Sequence, residues 1–368
     1  MSARTLFRWL LWCYIPFLLL VLALCIAFCA WLIWVFRGSM LAIVLLLPVF
    51  SLVLILFVIA MLAGWRMIFR KNMDFDEPNV LPLNVMALEP MGKYVRALAE
   101  KDDLPVPDRY ELTIGDVASV YEDDDGKNVL RIDGLALACI PKHSLLAIIA
   151  HELAHYAGGD TRESRSLVRY GPSINQLEYT FVRQPWLLIN PLTWIIRGYH
   201  QLLLLALFAS SREQEYAADA KSAELLGAKE AAKALVLIEI LHRVPWLGIE
   251  SIGTSMAMHR SKGEQVFGEL QQRMKSMSAV DWADAFAKAW KEESSLYHSH
   301  PTLKERVKAL GVKRKVLMAE LGKDTSPPLA MEMPLWHSLE KKLSDFLVLV
   351  FQQRQQDIAD LQELIRRW

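Results

Sequence analysis

Residues 145–160, LLAIIAHELAHYAGGD, carry two histidines four positions apart with a glutamate between them, His151-Glu152-Leu153-Ala154-His155. Four residues along an α-helix turn about 400° and rise roughly 6 Å, so the two imidazoles share a face. Two imidazoles so placed can bind one metal ion. Glu152 points aside from them yet stays near enough to handle a metal-bound water, and H-E-x-x-H is a metalloprotease signature for that reason. Such a zinc site needs a third protein ligand and leaves a fourth position open. Downstream, SSREQEYAADA at 210–220 sets Glu215 and Asp219 four apart on an expected helix. Glu215 suits the third ligand, and Asp219, one turn on, can accept the outer N–H of a ligating imidazole. The bland alternative is an exposed charged face, since Arg212, Glu213 and Lys221 are close by. Against it stand the very apolar helix leading in and the small Ala217, Ala218 and Ala220, which suit close packing.

The elements that must hold these residues begin in a membrane. Of the 368 residues 53% are hydrophobic, high for a soluble chain, and the excess lies near the N-terminus. Residues 9–36 and 38–65 contain no charged side chain. Each run exceeds the ~20 apolar residues that cross a bilayer, and both are too long for the about 7–15-residue apolar core of a signal peptide. They predict a two-helix hairpin within residues 1–71, with spans at about 10–36 and 39–65. Arg4 and Arg8 precede the first span and Arg66, Arg70 and Lys71 follow the second, while the turn holds only Arg37. The positive-inside rule therefore puts everything after residue 71 in the cytoplasm, in an inner or plasma type of membrane. Cys13, Cys25, Cys29 and Cys139 form no disulfide framework, which agrees with a reducing compartment. Equal numbers of basic and acidic residues, 41 each, give no sign of nucleic-acid binding.

A linker at 72–84 leads to a short amphipathic helix at about 85–101. The segments RYELTIG, ASVYE and NVLRIDGLALACI read as strands of a small sheet, with the turn DDDGKN between the last two. Pro141 opens the helix of the histidine pair and Gly158-Gly159 closes it. Residues 185–211 are apolar but interrupted by Arg197, Gly198 and His200, and read as a loop followed by a helix on or dipping into the membrane surface. A second membrane hairpin and a buried core helix are the alternatives. Helices are expected at 229–243, 263–277, 280–294 and 302–320. Within residues 335–368 an amphipathic C-terminal helix at 338–366 can pack on the domain or on the membrane. His143 sits at the helix start; His200, His242, His259 and His337 are isolated and are assigned no ligand role.

HELAH followed by EYAAD, then HSHPTLKERVKAL with His300-Pro301 and Arg306, resembles the membrane-bound gluzincins that include the HtpX-type heat-shock proteases and the CAAX prenyl proteases. The resemblance covers roughly residues 10–320. It implies a mostly helical α+β fold: the membrane hairpin, then a gluzincin-like zinc metalloprotease domain with a small β-sheet over 72–325. It also implies that a histidine of the last motif stabilises the transition state, which here is His300, with His298 the weaker candidate. Two departures stand out. The HtpX-type proteins usually have two further spans between the first two motifs. Many relatives also have an asparagine on the strand leading to the site, where this chain has Ala118 and Ser119.

The function so implied is a membrane-anchored endopeptidase with one Zn2+ per chain, held by His151, His155 and Glu215. Glu152 would act as general base and acid, Asp219 would orient an imidazole, and His300 would donate to the oxyanion. Its substrate is a peptide or protein, bound by strand addition near 128–140, and its setting suggests turnover of membrane or misfolded proteins at the lipid bilayer. The alternatives are a non-catalytic zinc-containing peptide-binding scaffold, and a membrane adaptor in which HELAH is incidental and no metal binds.

Overall fold

The computed structural model describes residues 2–35, 37, 51, 55, 80–81, 88–102, 104–113, 118–123, 125–158, 191–243, 266–291, 300–321 and 326–347. Their elements run α1 (Ala3–Val35), β1 (Val80–Leu81), α2 (Glu89–Glu100), β2 (Arg109–Thr113), β3 (Ala118–Glu122), β4 (Asn128–Asp133), α3 (Gly134–Cys139) and α4 (Lys142–Ala157). Then come α5 (Pro191–Leu226), α6 (Ala228–Arg243), α7 (Val266–Ser276), α8 (Ala279–Ala289), α9 (Leu303–Ala309), α10 (Arg314–Glu320) and a 3-10 turn, Leu329–Glu332. A last helix, α11, occupies 336–347. The chain divides into two compact units: Met1–Phe75, Arg162–Glu213 and Ser295–His300 make the first, and Asp76–Thr161, Gln214–Ser294 and Pro301–Trp368 the second.

In the first unit α1 is, among the described residues, the one helix long and apolar enough to cross a membrane. Its outward Trp9, Trp12, Leu20, Leu24 and Trp31 are more than half exposed, a surface that suits lipid and not water. The expected second span, 39–65, lies outside the described residues apart from the isolated positions 51 and 55. Phe7, Tyr14 and Leu18 of α1 are buried. They pack antiparallel against the first half of α5: Phe7 clusters with Leu203, Ala206 and Leu207, Tyr14 and Leu18 with Ile196, and the Ala3 amide donates to Glu213 Oε1 at 3.3 Å.

The helix expected within 185–211 begins at Pro191, and the loop expected before it falls at 185–190. From Pro191 the chain is helical without interruption to Leu226, and only 185–190 falls outside the described residues. Arg197 and Gly198 do not break it: proline occurs only at its first residue, and a lone glycine costs a helix only about 1 kcal/mol.

The second unit holds a four-stranded sheet in the order β1-β2-β4-β3, with β2 and β4 parallel and the other two pairs antiparallel. The expected edge for substrate, 128–140, is therefore not an edge. β4 has a strand on each side, and 134–139 is helical because the Asp133 carboxylate accepts from the Leu135 amide at 2.8 Å and caps α3. Among the described residues the edge beyond β4 belongs to β3. Its hairpin to β4 turns at Gly126, whose φ of +78° only glycine adopts cheaply. The core joins Leu112, Leu130 and Ile132 of the sheet to Val95 of α2, Ile149 and Leu153 of α4, Val236 and Ile240 of α6, and Phe286 of α8.

The helix expected over 302–320 is two helices, α9 and α10, separated at Gly311, where φ is +70°. The described part of the C-terminal helix packs on the domain: Leu339, Leu343 and Leu347 enter the same core, and Leu343 lies so close to Gly134 that a side chain there would clash at 3.0 Å.

Candidate metal centre

Two helices of the second unit build the site. Helix α4 begins at its cap Pro141 and ends at Gly158, which keeps right-handed helical dihedrals and no left-handed turn. Ala147, His151 and His155 recur every four residues along it. The C-terminal part of α5 presents Glu215, Asp219 and Ser222, spaced four and three apart and so also on one helix face, and the two stripes run antiparallel. His155 faces Glu215, His151 faces Glu215 and Asp219, and the Ser222 hydroxyl donates to the Ala147 carbonyl at 2.7 Å. Pairing one i, i+4 face with another is what brings four polar side chains to one point in an otherwise apolar contact.

His151 Nε2 and His155 Nε2 are 3.0 Å apart, and the two Glu215 oxygens lie 3.5 Å from them, Oε2 from His151 and Oε1 from His155. Donors held about 2.0–2.1 Å from a tetrahedral ion stand roughly 3.3 Å from one another. The three side chains thus already have the spacing of a coordination sphere, and their ligand atoms all fall within 4.8 Å. Two imidazole nitrogens and a carboxylate oxygen form a donor set suited to a borderline cation. His151 Nδ1 lies 3.0 Å from Asp219 Oδ1, at ion-pair range though off the line of a straight hydrogen bond. Glu152 is half-buried on the neighbouring face of α4.

A fifth residue closes the arrangement. The capping box of Thr302 and Glu305 starts α9, with the Glu305 carboxylate accepting from the Thr302 amide at 2.9 Å and the Thr302 hydroxyl accepting from the Glu305 amide at 3.3 Å. In the first turn that follows, Arg306 reaches the site. Its Nε donates to Asp219 Oδ2 at 2.8 Å and its Nη2 to Asp219 Oδ1 at 2.7 Å. The same Nη2 lies 3.0 Å from Glu215 Oε2 and 3.5 Å from His151 Nε2.

Burial opposes every charge here, and pairing outweighs it. Desolvation would raise Asp219, yet the Arg306 hydrogen bonds and the close His151 ring hold its carboxyl below the usual range. Desolvation would likewise weaken the Arg306 cation, but the Asp219 bonds and the charges of Glu215, Asp219 and Glu152 raise its pKa. His151 would be pushed down by burial and is raised by Asp219 and Glu215.

All four residues expected at the metal, His151, His155, Glu215 and Asp219, come together. His300 is exposed and falls in the first unit. Arg306, quoted in the sequence only as part of the last motif, is the residue whose part at the site went unread. The available signal was electrostatic: two carboxylates on one buried helix face need a cation of their own.

A mostly helical domain with a small sheet, built around a paired-helix His/Glu centre, has the makings of a metallopeptidase. The family model described as Peptidase family M48 matches residues 121–313. The match spans more than half of the 368 residues, and the chain belongs to that family, one of metal-dependent proteases. Neither the curated proteins nor the solved structures compared with it give a match.

Proposed function

We propose that this metalloprotease is a membrane-anchored zinc endopeptidase of the gluzincin type, with its catalytic domain in the cytoplasm, acting in turnover of membrane or misfolded proteins. The observation that carries the reading is the convergence of His151 Nε2, His155 Nε2 and the Glu215 carboxylate at coordination spacing. These three residues would hold the ion. Bound there, zinc would supply a Lewis acid for the scissile carbonyl and would lower the pKa of the attacking water toward ~7. Glu152 takes the proton of the attacking water and returns it to the leaving amine. Asp219 accepts from His151 Nδ1, fixing the tautomer that leaves Nε2 free to ligate. The resemblance to the gluzincins makes His300 the candidate donor to the developing oxyanion. The anchor is α1, whose exposed apolar surface and length support it.

Extended substrate pairs with β3. This strand packs beside α4 and is half-exposed along its whole length. Main-chain pairing of that kind confers weak sequence selectivity.

The test is a pair of variants of the full-length detergent-purified protein. Glu152→Gln should retain about one zinc per chain while casein cleavage falls at least about 100-fold. His151→Ala should lose the metal. A Glu152→Gln protein that cleaves at the wild-type rate would overturn the mechanism.

A further inference from the structure

The guanidinium of Arg306 does not stop at Asp219. Its Nη2 stands 3.0 Å from Glu215 Oε2 and 3.5 Å from His151 Nε2, so a permanent cation shares two of the atoms that a metal ion would use. From these contacts, and resting on the metal site proposed above, we infer that Arg306 and the metal compete for Glu215, with Arg306 holding the carboxylate until a metal displaces Nη2 from it.

The charges support an exchange. Glu152, Glu215 and Asp219 are three carboxylates, and Arg306 is one cation that all of them stabilise. The remaining charge of about two negative units matches a divalent ion. Without a cation, Glu215 and Asp219 would be two buried like charges one helical turn apart, 5% and 2% exposed, and leaving buried charges uncompensated is strongly destabilising. Two of the Arg306 contacts, Nε to Oδ2 and Nη2 to Oδ1, are made to Asp219, which is not among the three ligands, so the fork can stay on Asp219 when Glu215 turns to the metal. The arginine therefore stabilises the metal-depleted protein by two carboxylates and the loaded protein chiefly by one.

This gives a result that a plain scaffold role would not. In Arg306→Gln the depleted form loses more stability than the loaded form, so zinc binding no longer has to displace a cation. Chelator competition on the full-length protein should show Arg306→Gln binding zinc on the order of ten-fold tighter than wild type, and the zinc-induced rise in Tm should be larger. Arg306→Lys keeps a point charge without the fork and should fall between the two. Recovery of folded Arg306→Gln only when zinc is supplied is the same outcome in stronger form. Equal or weaker zinc binding in Arg306→Gln, or an unchanged zinc-induced Tm shift, would overturn the competition and leave the metal site standing. Failure of the wild-type protein to bind zinc would overturn both.

Discussion

His151 and Asp219 meet across two antiparallel helices, Nδ1 to Oδ1 at 3.0 Å, while the opposite nitrogen of the same ring faces His155 and Glu215. One ring thus has an outer side committed to a carboxylate and an inner side turned to the ligand atoms. Asp219→Asn keeps the size of the side chain and removes the charge that holds the ring. Zinc affinity should fall about 10–100-fold, as for other partners of ligating histidines. Chelator competition measures it, and the direction is opposite to that expected for Arg306→Gln. Affinity unchanged within two-fold or so would show that Asp219 serves Arg306 alone.

The meeting of the candidate ligands was legible because their chemistry lies in i, i+4 pairs. His151 with His155, and Glu215 with Asp219, need only helical periodicity to be placed on one face, and pairing the two faces is the simplest way to bury them. The strand order was not legible. β2 and β4 are parallel neighbours, and β3 lies outside them although it comes between them in the chain. That order depends on long-range pairing that no local pattern records. The short helix α3 hid in an apolar run that reads equally as strand, although Asp133 before Gly134 was a cap signal. Arg306 went unread because its partners are remote in sequence, Asp219 lying 87 residues away and His151 155 residues away.

In the first unit the buried Tyr14 hydroxyl lies 3.0 Å from His200 Nε2, and the two rings stack at 5.4 Å. Tyr199, next in sequence, donates its hydroxyl to the Leu10 carbonyl and stacks on Phe17 at 4.3 Å. These polar contacts punctuate an apolar seam and fix which residue of α1 meets which residue of α5. Tyr14→Phe removes one hydrogen bond and keeps the ring, so the cost should be about 0.5–1.5 kcal/mol, the net range for an intramolecular hydrogen bond. His200→Ala also removes the stacking and should cost more. Thermal unfolding in detergent ranks the two, and a Tyr14→Phe protein less stable than His200→Ala would contradict the assignment.

Segment 326–333 braces the start of the histidine helix. Pro328 bridges to Pro141, and Glu332 accepts from Lys142 Nζ and from the Tyr94 hydroxyl, each at 2.6 Å. The Lys142 bond first, then the Tyr94 bond, lowers the Glu332 pKa below its unfolded value of 4.5. A depressed carboxyl contributes fully above that unfolded value and loses its contribution as pH falls through the folded one. The pair is partly exposed, 20% and 30%, so solvent screening limits its contribution to about 1 kcal/mol or less. Glu332→Gln should therefore be less stable than wild type by up to that amount at pH ~7, and the gap should close in acid. Urea unfolding at both pH values checks it; a gap that widens on acidification would reverse the sign and refute the account.

If β3 receives the substrate, the recognised groups are the amides and carbonyls of the peptide backbone. β3 already spends one edge on β4, in a register running from Ala118 opposite Ile132 to Glu122 opposite Asn128. Its other edge is the place for an added strand, and the packing of β3 beside α4 would bring that strand to the histidine pair. Methylating one backbone nitrogen of a good peptide substrate removes a donor and adds bulk at the strand interface. At a position that pairs with β3 this should lower kcat/KM at least about 10-fold, the equivalent of one lost and unsatisfied hydrogen bond. At the next residue, whose amide points away from the edge, the same methyl group should have little effect, because donors alternate along a strand. A scan of singly methylated peptides would then show cleavage falling at every second position. A flat profile, or one that follows side-chain identity and ignores position parity, would remove β3 from the binding site and leave the metal centre untouched.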